Sequence, residues 1–219
     1  MQSFIQLIID WSEVWALLIP ILFYKKQPVS YKPVVSYIWA ALLINLATDM
    51  TWKLRDYLPP HYNSNNYLYN LHSIVRFFLF SSFFIGLKQP FLETVKRVIP
   101  LFFVVFLIVN FWFYEKFFNY WLFSSRLLAV EAILLLFYTL QYYLFKIKQD
   151  VEEEIFTPDF WIVTGLGIYM AINFFIFLLY NELTVRLFDF AVGLWNVHNI
   201  SYIIFNLFLA KAFYETGKQ

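Results

Sequence analysis

Two short stretches set a histidine among residues able to build a polar site. YNLHSI (69–74) and WNVHNI (195–200) both read aromatic, Asn, aliphatic, His, polar, Ile. They place Asn70, His72, Asn196, His198 and Asn199 in runs that are otherwise apolar. Histidine changes charge in the physiological pH range and Asn both donates and accepts, so such pairs can hold a proton or a small polar ligand. Further candidates follow at helical spacing. Asn45 and Asp49 share a helix face, as do His72 and Arg76, and as do Gln6, Asp10 and Glu13. Asp189, Asn196 and Asn199 form one stripe, with His198 on the opposite side, and Glu131 stands in a long apolar run. Metal chemistry lacks its spacing: neither H-x-x-E-H nor H-x-x-x-H occurs, and the third histidine, His61, lies in a turn-rich segment. Ser73 beside His72 is not a nucleophile and base by spacing, because adjacent helical residues point about 100° apart. No catalytic residue, metal or cofactor is expected from these patterns.

These residues must be positioned by helices in a bilayer. Hydrophobic residues make up 61% of the 219-residue chain and charged residues 14%, against about 25% charged in a soluble domain. Cysteine is absent, which excludes disulfides and thiolate sites, and a net charge of +1 gives no case for a nucleic-acid partner. A span needs about 20 mostly apolar residues. Seven such runs are legible, at 4–24, 33–53, 67–87, 98–115, 119–145, 158–181 and 186–211, with breaks rich in charge, Pro or Asn between most of them. The chain is therefore expected to be all-α, a single seven-helix transmembrane domain over 1–219. The N-terminal run carries Asp10 and Glu13 and no basic leader, so it reads as a first span and not as a cleaved signal.

Orientation follows from loop Lys and Arg. Lys25, Lys26, Lys32, Lys88, Lys96, Arg97, Lys146, Lys148, Lys211 and Lys218 fall on one side, while Lys53, Arg55, Lys116 and Arg186 fall on the other. The richer side is expected to be cytoplasmic, with the N-terminus outside, the C-terminus inside and Trp11, Trp52, Trp112 and Trp121 at the outer interface of a cytoplasmic (inner) membrane. On that placement nearly all the in-span ionisable and Asn residues lie at the midplane or in the outer half, with Asn206 in the inner half. The inner halves, such as FFLFSSFFIGL, are almost wholly apolar.

The paired histidine stretches also hint at a repeat. LLIN (42–45) aligns loosely with MAIN (170–173), and Glu13 and Glu131 each precede a long apolar run. Two parallel three-helix units, 1–88 and 119–213, would be joined by the helix at 98–115. This layout resembles the SWEET-type sugar facilitators and their PQ-loop relatives, and the resemblance implies that Asn70 and Asn196 line a central substrate site. It covers the architecture of the chain and no specific motif; spans two, five and six lack internal proline. Seven spans also look like rhodopsins, but the last span has its only Lys at 211, at the cytoplasmic end, where no retinal Schiff base could form midway along the helix.

An ionisable group in a span costs at least about 2.5–3.5 kcal/mol at the bilayer centre and marks a functional candidate. The candidate ligand site comprises Glu13, Asn45, Asp49, Asn70, His72, Arg76, Glu131, Asn196, His198 and Asn199. The expected activity is that of a receptor-like sensor: a small polar or amphipathic ligand, or a proton, binds an outward cavity, and a helix shift passes to a separate signalling protein or a second copy. A transporter of a small polar solute is the first rival. An intramembrane enzyme with Glu131 or a histidine as general base is the second.

Overall fold

The structure, a computed structural model, describes residues 4–24, 27–59, 64–87, 89–119, 122, 124–148 and 156–217. Lys25, Lys26, His61, Lys88, Trp121 and Lys218 lie outside the described residues. Within them every regular element is helical: α1 Phe4–Asp10, α2 Ser12–Leu22, α3 Lys32–Lys53, α4 Asn66–Gly86, α5 Glu93–Val109, α6 Ser125–Lys148, α7 Pro158–Arg186 and α8 Phe188–Thr216. Helix α5 runs on into a π-turn over Asn110–Tyr114. Six helices are long and apolar enough to cross a membrane, and a seventh span results if α1 and α2 count as one. That is the make-up of a multi-pass membrane protein.

The first expected span is broken. Helices α1 and α2 meet at Trp11 at an angle of 70°. The break strands carbonyls that a continuous helix would satisfy, and two of them find other donors. The Trp15 indole donates to the Ile8 carbonyl at 2.8 Å and Asn199 Nδ2 to that of Ile9 at 3.2 Å. At the other end of the chain, the expected break at NELTVR is helical. Helices α7 and α8 have 29 residues each and only Leu187 between them. At about 1.5 Å per residue each reaches about 43 Å, longer than a hydrocarbon core of about 30 Å.

Packing follows a closed ring in the order α2, α3, α4, α6, α7, α8 and back to α2. Helix α5 lies outside the ring against α4 and α6, and α1 lies against α8 and α2. Helices α7 and α8 approach closely at Gly165, where a Cβ would stand 2.5 Å from Phe208 Cβ. Below its polar centre the ring is filled with aromatic side chains: Tyr37, Phe80 and Phe205 pack within 6.1 Å of one another, with Phe83, Phe84 and Tyr138 beyond.

Candidate functional site

Each of the six ring helices sends a side chain to one small central chamber. Glu13 comes from α2, Asn45 from α3, His72 and Arg76 from α4, Leu128 from α6, Tyr169 from α7, and His198 and Tyr202 from α8. The chamber holds about 10 Å³, roughly the space of one water. Arg76 crosses beside it to Glu131 on α6. Its Nε and Nη2 donate to Glu131 Oε1 and Oε2 at 2.6 and 2.8 Å, and Nη1 donates to the Tyr169 hydroxyl at 3.0 Å. Both side chains are shut off from solvent, at 3% and 0% exposure. A parallel two-bond fork is the geometry in which a buried guanidinium and carboxylate best offset their lost hydration.

The second buried pair is Glu13 and His198. Asn173 Nδ2 donates to the Tyr169 carbonyl at 2.7 Å and to Ser201 Oγ at 2.9 Å, while the Ser201 hydroxyl donates to the His198 carbonyl. That orientation turns Asn173 Oδ1 toward His198 Nδ1, 2.5 Å away. The hydrogen-bond network thus assigns a proton to Nδ1. His198 Nε2 in turn stands 3.2 Å from Glu13 Oε1. The backbone of Glu13 is fixed as well: its carbonyl accepts from Asn45 Nδ2 at 2.8 Å, and the same amide donates to Tyr202 Oη at 3.3 Å.

Above the chamber a larger vestibule of about 510 Å³ opens between α1, α3, α4, α7 and α8. Asp10, Asp49, Asn196 and Asn199 line it. Gln6 braces its wall, donating to Asp10 Oδ1 at 2.8 Å and to Asn196 Oδ1 at 3.0 Å. Glu13 and Tyr69 line both spaces. They form the partition between an open polar cavity and the enclosed charge network.

The ten sequence candidates thus divide. Glu13, Asn45, His72, Arg76 and His198 line the chamber, and Glu131 anchors Arg76. Asp49, Asn196 and Asn199 line the vestibule, as Glu13 also does. Asn70 lines neither space; its Nδ2 donates to the Phe117 carbonyl at 2.8 Å and ties α4 to the segment after α5. The tyrosines escaped the sequence reading. Tyr69, Tyr169 and Tyr202 are part of the site, but in a chain with 16 Tyr and 28 Phe they look like ordinary apolar filling. Their spacing gives one faint signal, since Tyr202 follows His198 by one helical turn. Asn173 was legible as an in-span polar residue, though not as the group that orients His198 from 25 residues away. Among the described residues no three His, Asp or Glu side chains converge as a metal would require. Comparison with known protein families, curated proteins and solved structures finds no match.

Proposed function

We propose that the chain is a receptor-like sensor of the cytoplasmic (inner) membrane, with its N-terminus outside and its C-terminus in the cytoplasm. A small polar ligand, or a proton, enters the vestibule and acts on the partition at Glu13. The carrying observation is that Glu13 faces the vestibule while bonding His198 of the enclosed network. A ligand that draws the Glu13 carboxylate toward itself must loosen His198, and with it the contact between α2 and α8. The tight aromatic filling beneath the chamber supports a sensor over an open pore, since it leaves no polar lining from end to end. The signal leaves by helix movement to a separate protein.

The ring order favours a second reading. α2–α4 and α6–α8 each form a contiguous arc with α5 outside, which supports two three-helix units able to rock against each other as in alternating access. Proteoliposome uptake of radiolabelled glucose, glutamate and choline separates the two. The sensor reading predicts no flux above that of empty vesicles. It also predicts that Glu13→Gln raises hydrogen exchange in α2 and at Phe188–Tyr202 of α8. Saturable flux of any of these solutes overturns the sensor in favour of the transporter.

A further inference from the structure

The lining of the vestibule narrows the ligand class, on the reading that this cavity is where the ligand enters. Among the described residues three acidic side chains line it, Asp10, Asp49 and the His198-bonded Glu13, against the ammonium of Lys53. The walls are aromatic. Trp195 stands edge-on to Tyr69 at 5.4 Å and against Tyr180 at 5.1 Å, and Trp11 and Trp52 complete the lining nearer the α1–α3 side. A cation already there shows what such a surface holds: Lys53 Nζ sits 5.8 Å over the Trp11 ring. Cations are drawn to indole and phenol faces by the negative charge above the ring, most strongly where nearby carboxylates add to it.

The unpaired groups point the same way. Asn199 is only 2% exposed, spends its Nδ2 on the Ile9 carbonyl, and has no partner for its Oδ1. Asp49 Oδ2 is likewise buried and without a partner. Both are acceptors, and both belong to residues lining this cavity. A ligand that satisfies them must bring donors or positive charge. An anion would meet the acidic side chains, and a neutral polyol would bring no charge to set against them. At about 510 Å³ the cavity is of ordinary small-ligand size. We infer that the vestibule binds an organic ammonium ion, its cationic head among Asp49, Asn199 and the Tyr69–Trp195 faces.

The test uses three probes of one shape and different charge. Choline is positive, 3,3-dimethylbutan-1-ol is its neutral isostere, and 3,3-dimethylbutanoate is its negative counterpart. Each is titrated, with glucose as a fourth probe, onto the full chain in lipid nanodiscs by calorimetry and by the fluorescence of the vestibule tryptophans. Choline is expected to bind at least about tenfold tighter than the alcohol, and the acid not at all. Asp49→Asn is expected to erase most of that difference while leaving the melting temperature near that of the native chain. The charge series on the unaltered protein stands even if the variant fails to fold. Equal binding of choline and the alcohol overturns the cation inference, and so does binding of glucose or the acid without choline; in those cases the vestibule remains the ligand entrance. Silence from all four probes overturns both the inference and the reading beneath it.

Discussion

Arg76 and Glu131 meet through two short hydrogen bonds in a place that solvent does not reach. Removing one partner leaves the other charged, buried and alone, which typically costs 3–5 kcal/mol, whereas replacing both by apolar groups of similar size is often neutral or stabilising. Glu131→Gln is therefore expected to lower stability by about 3–5 kcal/mol in detergent-based thermal unfolding, and Arg76→Met with Glu131→Leu to recover most of the loss. A double variant as unstable as the single one would mean that the loss does not come from a buried charge left unpaired. The charged members of this network could be picked out from the sequence because a bilayer penalises each of them. Their pairing could not. Glu131 stands 55 positions from Arg76 along the chain, and nothing in either span says which acid the guanidinium takes. Asn70 marks the opposite limit: it shares its local pattern with Asn196, yet it bonds a carbonyl after α5 rather than a site residue.

At the scale of elements, the bend between α1 and α2 is held by side chains from elsewhere. No Pro or Gly stands at Trp11, and the proline in α2 is Pro20. The break persists because Trp15 and Asn199 take the carbonyls it exposes and Gln6 links α1 to Asn196. Such a bend is invisible to hydropathy, which sees one apolar run over 4–24; the long helices, whose apolar runs exceed a bilayer's thickness, were legible nearly to their ends. Asn199→Leu keeps the branched outline but drops the amide. It is expected to raise amide hydrogen exchange in α1 while exchange across Tyr202–Phe213 stays unchanged, and uniform protection in both segments would show that α1 docks without Asn199. A second element-level test concerns the α7–α8 contact. Gly165→Ala drives a methyl into Phe208 Cβ and is expected to cost about 1–3 kcal/mol. Gly193→Ala, with nothing within 4 Å, is expected to be neutral or to stabilise by about 0.5–1 kcal/mol. Thermal unfolding of the two variants, side by side, checks the difference.

Across the whole molecule, a ring of six helices gathers Glu13, His72, Arg76, Glu131 and His198 at and beside one chamber, and the vestibule opens at one end of it. The apolar runs foretold the helices, but ring closure depends on which faces meet, and side chains such as Tyr169 and Phe205 could pack many ways. Which side of the membrane the vestibule faces rests on the distribution of Lys and Arg, and the chain offers a direct means of testing it. Having no cysteine, it needs no background substitution before single cysteines are introduced. Tyr57 and Val29 flank α3 and are 86% and 75% exposed. The 22 residues of α3 reach about 33 Å, enough for one crossing. With the N-terminus outside, a membrane-impermeant maleimide added to right-side-out vesicles is expected to label Tyr57→Cys and to leave Val29→Cys unlabelled, with the pattern reversed in inverted vesicles. Labelling of Val29→Cys alone from the outside would turn the molecule over and aim the vestibule at the cytoplasm, so that its ligand would have to be an intracellular one. Labelling of both from one side would mean that α3 does not cross at all.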